Sequence, residues 1–279
     1  MYYILYNPKS SNSDVLKKIN KLYKKLSKKH TCYKINLFDI NLKEKVFFNQ
    51  CNSDDTIIIC GGDGSLDQFI NRIYGEPIKC KIFFYPCGSG NDFARDFNGK
   101  GKLIEITNEV YNCPKLLING EEKYVFVNGV GMGVDAAVCR SKAQYKFSNV
   151  KKGYFSISLE TLKNYRTYSV DLEIDGEKRH YDNVWFFIVN HGKFMGGGMR
   201  VTPKAKRDDE YLDVCIVHTV SHKKIIAIFP FIFLGKHVWF KKYVDIIRCK
   251  TFKAVPNGCN ILQRDGEVLD YVRSIEVER

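Results

Sequence analysis

"TIIICGGDGSLDQF", residues 56–69, runs a short apolar, β-branched segment into two glycines, an aspartate, a third glycine and a serine. Thr56 and Ile57, Ile58 and Ile59 have the character of a strand buried on both faces, as in a parallel sheet. Gly61, Gly62 and Gly64 remove side chains where the chain must turn. Leu66, Phe69, Ile70 and Ile73 then recur at helical spacing. A strand, a glycine turn and a helix start together present backbone N–H groups to an anion. The same pattern also serves as an ordinary tight βα turn, and "GGDG" alone does not separate the two.

Outward from this stretch the first part of the chain alternates strand and helix. "YYILYNP" reads as a strand ending in a turn, 13–29 as a helix, and "CYKINLF" as another strand. After the strand at 56–60 come a helix from about residue 66, the strand "KIFFYP" (81–86), "CGSGNDFARDF" and a short strand near "KLIEI". Such alternation predicts a parallel sheet covered by helices. Past residue 112 the pattern becomes apolar, turn, apolar. "KLLINGEEKYVFVNG" forms a hairpin around Asn119–Gly120, and "SVDLEIDGEKRHYDNVWFFIVN" another around Asp175–Gly176. Further strands are expected at 211–217, 259–263, 267–271 and 273–278, with helices at 141–163 and 221–234. The expected architecture is α/β plus β: a Rossmann-like parallel α/β domain over 1–112, and an antiparallel domain over 113–279.

A chain of 279 residues, 44% hydrophobic and 27% charged, buries a sizeable core rather than staying disordered. Its 44 Lys+Arg against 31 Asp+Glu leave a net charge of +13, which favours nucleotides, phospholipid surfaces or nucleic acid as partners. No nucleic-acid recognition module is found, so nucleic acid is not expected. In 15–29, Val15, Leu16, Ile19, Leu22, Tyr23 and Leu26 share one helical face, Ser13 is placed to cap it, and the lysines form the solvated face. Ten scattered cysteines, without a C-x-x-C pair or an opening leader pattern, predict reduced thiols in a cytoplasmic protein. Cys215, His218 and His222 have a C-x2-H-x3-H spacing that would need a fourth ligand or a water to hold zinc. The apolar run "IIAIFPFIFLG" (225–235) is too short to span a bilayer and contains Pro230, so membrane contact is expected to be peripheral.

Small-residue loops follow three predicted strands: "YNPKSS" (6–11), "GGDGS" (61–65) and "PCGSGNDF" (86–93). Ligands of parallel α/β sheets bind beyond the carboxyl ends of the strands, so neighbouring strands would give one rim. That rim carries Asn7, Ser10, Ser11, Gly61, Gly62, Asp63, Gly64, Ser65, Gly88, Ser89, Asn91 and Asp92. The small and amide residues suit a phosphate, and the aspartates suit Mg²⁺ with retained waters. Neither a P-loop nor a G-x-G-x-x-G fingerprint is present.

With "VNGVGMGVDAAV", "NHGKFMGGGMRVTPKAKRDDEYLDV" and "RDGE" following in order, the chain resembles the diacylglycerol kinase catalytic-domain family, particularly its bacterial lipid kinases. The resemblance implies a C-terminal β-sandwich and an ATP-dependent kinase acting on a lipid alcohol such as diacylglycerol. It implies ATP contacts at Asn7, Pro8, Lys9, Ser10 and Ser11, from Gly62 to Gln68, and at Ser89. It also implies Glu267 as catalytic proton acceptor, and a structural Mg²⁺ on Asp209 and the carbonyls of Lys206 and Tyr211. The chain departs from the family pattern at Ser11, Ser65, Asp67–Gln68 and Glu210, the last standing where a glycine is usual. That puts the turn of the metal loop most in question.

Phosphoryl transfer to an alcohol needs neutralised phosphate charge, in-line placement and help in removing the hydroxyl proton. Asp63, with Asp92 or Asp135, is a candidate to hold the nucleotide's Mg²⁺. The plainer readings are a turn carboxylate satisfied by backbone N–H groups for Asp63 and a helix cap for Asp135. For Glu267 the plainer reading is an exposed carboxylate in a hairpin turn, which Asp265 would orient. The segment 225–244 interleaves aromatics with Lys236, His237, Lys241 and Lys242. It reads either as an interfacial element meeting anionic headgroups or as a core helix followed by a buried strand. An NAD kinase-like enzyme, and a non-catalytic nucleotide or lipid binder, are the competing readings; an exposed edge strand would also permit a homodimer.

Overall fold

The computed structural model describes residues 1–8, 13–37, 45–88, 90–99, 101–147 and 154–279. They divide into two compact units, Met1–Cys113 and Pro114–Arg279. In the first, β1 (Tyr2–Tyr6), α1 (Ser13–Leu26), β2 (Cys32–Asn36), α2 (Lys45–Gln50), β3 (Thr56–Gly61), α3 (Asp63–Ile73), β4 (Lys81–Pro86), α4 (Asp92–Asp96) and β5 (Ile104–Glu105) follow in order. Their sheet runs β2-β1-β3-β4-β5, parallel except for the antiparallel edge strand β5.

β3 is central, and its burial explains its composition. Ile57, Ile58, Ile59 and Cys60 are all fully buried, so both faces must be apolar. Ile58 and Cys60 pack with Val15, Ile19 and Leu22 of α1, while the lysines of α1 lie on its outer face. Helix α3 begins at Asp63, inside the glycine motif and three residues earlier than periodicity predicts, because its first three residues carry no apolar signal.

The second unit comprises β6 (Lys115–Ile118), β7 (Glu122–Val125), β8 (Gly129–Gly133), α5 (Val134–Phe147), α6 (Tyr154–Asn164), β9 (Tyr168–Ile174), β10 (Glu177–Asn190), β11 (Leu212–His218), α7 (His222–Ile228), β12 (Val244–Cys249), β13 (Thr251–Asn257), β14 (Leu262–Arg264), β15 (Glu267–Leu269) and β16 (Ile275–Glu278). Two 3₁₀ turns, Phe229–Leu234 and His237–Trp239, follow α7. The strands form an antiparallel sheet of order β15-β14-β8-β10-β9-β13-β16-β6-β7, with β11 joining β10 to β12. It folds around one core that gathers Leu116, Val170, Phe187, Ile216, Phe252, Leu262 and Ile275 from seven strands, which gives the sandwich character.

Strand β10 serves two neighbourhoods. Its exposed first half pairs with β9; its buried second half lies between β8 and β11. The register shifts at the junction, where Asn183 has a positive φ. The turn predictions hold in detail: Asp175–Gly176 and Asp265–Gly266 are two-residue hairpin loops with positive φ at both positions. β12 and β13 were not anticipated. The "VDIIRC" of β12 alternates poorly, and Pro256 in β13 argues against a strand.

Because Ile58 contacts both a neighbouring strand on each side and α1, it has no room to collapse when shortened. Ile58→Ala is expected to cost about 2–5 kcal/mol in a urea melt, with the slope unchanged.

Candidate functional site

β1, β3 and β4 are adjacent and parallel, so the loops that follow them leave the sheet at one edge. Asn7 is buried there and Pro8 half-buried; Lys9, Ser10, Ser11 and Ser89 lie outside the described residues. Gly62 precedes α3 in extended conformation, and no side chain caps the helix. The Ser65 and Leu66 N–H groups donate to Gly62 O at 3.1 and 3.2 Å, which leaves the Asp63 and Gly64 amides without an acceptor in the helix. A Cβ on Gly64 would meet nothing within 4 Å. The first turn of α3 is an open, uncapped helix N-terminus suited to an anion.

Asp63 joins two of the loops. Its Oδ2 accepts the Asp92 N–H at 2.8 Å and its Oδ1 the Phe93 N–H at 3.0 Å. Gly61 O accepts the N–H groups of Cys87 and Gly88. A Cβ on Gly88 would come within 2.5 Å of Gly62 Cα, so the two backbones can approach only without a side chain. Asn91, at φ 52°, donates Nδ2–H to Gly88 O at 2.7 Å. Asp63 is thus a carboxylate held by backbone N–H groups, and it fixes "GGDG" against "GSGND". Ser65 is buried against Gly61, whereas Gln68 is exposed on α3. Asp92 is buried, with Arg95 3.5 Å from its Oδ1.

In the second unit, Asp135 lies in the first turn of α5 and is half-buried. Gln263 Nε2 donates to its Oδ2 at 3.1 Å, and Oδ1 is buried without a hydrogen-bond partner among the described residues. Burial raises its pKa to about 7. The glycines before it serve internal packing. A Cβ on Gly131 would strike the Asp135 carboxylate, one on Gly129 would strike Asn190, and one on Gly133 would strike the Trp185 carbonyl.

Glu267 opens β15 opposite Arg264 and is exposed. Asp265 does not face it. The Asp265 carboxylate accepts the N–H groups of Val127, Asn128 and Gly129 at 2.5, 2.7 and 3.1 Å. It orients Glu267 indirectly, by tying the turn to the connection between β7 and β8. Buried Arg207 grips the same connection, donating to Val127 O at 2.6 Å and to Asn128 Oδ1 at 2.5 Å. Arg207 and Asn128 were not identified from sequence. Arg207 stands in a run of charged residues that reads as surface, and only an unusual arginine burial gives it away.

In the 206–211 loop, Asp209 Oδ1 accepts the Tyr211 N–H at 2.9 Å, and its other oxygen pairs with Arg248. Glu210 pairs with Lys250 at 2.8 Å. Elsewhere the C-x2-H-x3-H residues diverge. Cys215 is buried beside His237, His218 faces Asp245, and His222 packs edge-on to Trp185.

An acid whose folded pKa lies near 7, against 3.8 when exposed, is deprotonated more readily in the unfolded chain. Its burden on stability is absent below about pH 4 and complete above about pH 7, where it reaches on the order of 4 kcal/mol. The Tm of Asp135→Asn relative to wild type is therefore expected to rise between pH 4.5 and pH 8. A pH-independent difference would show that the carboxyl ionises as freely folded as unfolded.

Two family models cover nearly the whole chain. The diacylglycerol kinase catalytic domain matches residues 1–127, and the YegS C-terminal NAD kinase beta sandwich-like domain matches residues 128–275. The chain is 26% identical over 222 residues to a diacylglycerol kinase of Mycobacterium tuberculosis, covering 76% of this chain and 70% of that protein. It is 22% identical over 227 residues to a diacylglycerol kinase of Staphylococcus carnosus, again covering 76% and 70%. A crystal structure of a diacylglycerol kinase from Bacillus anthracis superposes with a TM-score of 0.70 at 20% identity, covering 100% of this chain and 94% of that one. The interlocked glycine loops, the Asp265 turn and these matches together make the chain a member of the diacylglycerol kinase-like family, with a catalytic domain followed by an NAD kinase-type β-sandwich.

Proposed function

We propose that the chain is an ATP-dependent lipid kinase that transfers the γ-phosphoryl group of Mg-ATP to the hydroxyl of a lipid such as diacylglycerol. The observation that carries this reading is the uncapped first turn of α3, with open space at Gly64 and the Asp63 carboxylate bonded to the next loop. Backbone N–H groups there are ready-made partners for phosphate oxygens, and a pre-set cradle needs no reorganisation as charge develops. Asn7, Pro8, Gly61, Gly62 and Gly88 complete its described part; Lys9, Ser10, Ser11 and Ser89 belong to it by motif. Asn91 and Asp92 fix the facing loop. Mg²⁺ arrives with the nucleotide, and Asp63, with Asp92 or Asp135, is assigned to it.

Glu267 is assigned as the proton acceptor. It stands exposed on a turn whose position is fixed by three backbone hydrogen bonds to Asp265. A positioned general base contributes about 10²–10⁴ in rate. Glu267→Gln is expected to keep the fold and ATP binding while losing turnover by roughly that factor, assayed with labelled Mg-ATP on a lipid panel. Near-normal turnover in the variant removes Glu267 from the mechanism. Phosphorylation of NAD and of no lipid would instead favour the NAD kinase-like alternative, and nucleotide binding without any product a non-catalytic role.

The reading includes peripheral action at an anionic membrane surface, through α7 and the segment that follows it. Ile225, Ile228 and Ile232 face the core, while Leu234 and Trp239 are 62% and 68% exposed. From Ser221 to Val244 there are five lysines and no carboxylate. Exposed apolar tips among unopposed lysines suit the headgroup region of an anionic bilayer. Trp185, the other tryptophan, is fully buried, so Trp239 reports contact. Phosphatidylglycerol-containing vesicles are expected to shift tryptophan emission to the blue, the shift weakening with salt and vanishing in Trp239→Phe. Equal response to phosphatidylcholine vesicles would refute charge-directed docking. Among the described residues no helix is long and apolar enough to cross a membrane.

A further inference from the structure

We infer that the 206–211 loop is locked by the protein's own cations, Arg248, Lys250 and Arg279, in the place where the family pattern calls for a structural divalent cation. The donor set implied for the metal is the Asp209 carboxylate with the Lys206 and Tyr211 carbonyls. In this chain one Asp209 carboxylate oxygen is paired with the Arg248 guanidinium, a cation that a metal ion would have to displace, and the other accepts the Tyr211 N–H. Arg279 adds a second clamp, donating Nε–H to Asp209 O at 3.0 Å and Nη2–H to Arg207 O at 3.1 Å. Its own N–H is bonded to Lys250 O at 3.0 Å, which fixes the guanidinium to the strand edge. The planar fork of an arginine matches two such carbonyls as a compact ammonium does not.

Glu210 is the residue that departs from the family pattern, and it makes the third contact, to Lys250 at 2.8 Å. Tyr211 lies beneath both cations, with the Arg248 guanidinium 4.5 Å and the Lys250 Nζ 5.1 Å from its ring centroid. Asp209 pairs with Arg248 and Glu210 with Lys250, so both of these loop carboxylates are partnered by the protein's own cations. The replacement is coherent: the residue standing at the usual glycine supplies the anion for Lys250, Arg248 takes the Asp209 carboxylate, and Arg279 pins the loop backbone through the Asp209 and Arg207 carbonyls.

The test uses the nucleotide-free full chain, so that no metal enters with ATP. Mn²⁺ binding is followed by the loss of its free-ion electron paramagnetic resonance signal in wild type and in Asp209→Asn. Equal stoichiometry in the two supports the inference; one further equivalent bound by wild type overturns it. In a chelator-containing buffer, Arg279→Ala is expected to melt about 2–4 °C below wild type. An unchanged Tm would overturn the clamp. Neither readout depends on catalytic activity, so the result is separate from the kinase reading.

Discussion

The second unit turns on one carboxylate. Three successive amides, those of Val127, Asn128 and Gly129, converge on Asp265, while Arg207 holds the carbonyl and side chain at the same place from another side. Three partners for one buried-facing carboxylate replace the water that an ion would otherwise need. The same contact closes the β14–β15 hairpin onto β8, which leads directly into α5 and Asp135. Thus one interaction links the positions of Glu267 and Asp135. Neither the hairpin nor the helix start determines its own position alone.

The first unit solves a related problem with glycine. Two loops must approach at backbone distance for Asp63 to reach the amides of Asp92 and Phe93, and Gly62 and Gly88 are where they meet. The carboxylate here acts as a strut between loops, as the plainer reading of the sequence held. This does not compete with a role toward a nucleotide's metal, since an ionised carboxylate has more acceptor sites than the two N–H groups use.

Much of this was legible in the sequence for definite reasons. β3 is buried on both faces, so its pattern could only be a continuous apolar run. The hairpins at Asp175–Gly176 and Asp265–Gly266 need positive φ at both loop positions, and residues tolerant of it stand there. What escaped notice has equally definite causes. α3 starts three residues early because Asp63, Gly64 and Ser65 leave no periodic apolar mark. Nothing local marks the glycines before Asp135 as packing positions, because the space beside them is filled by Asn190 and Trp185 from another strand and by Asp135 itself. Arg207 looked like solvent-facing charge because partners distant in the chain cannot be read from local sequence. Together, α7 and the segment after it divide between their two readings, with isoleucines inside and Trp239 outside.

The double pairing of β10 has a consequence for how the second unit comes apart. Its early residues hydrogen-bond to β9 and its late residues to β8 and β11, across a single covalent segment of 14 residues. Neither half of the sandwich can lose its central strand without straining the other. Sub-global opening should therefore be confined to the rim, and amide exchange from Phe186 to Asn190 should require the whole unit to unfold at once.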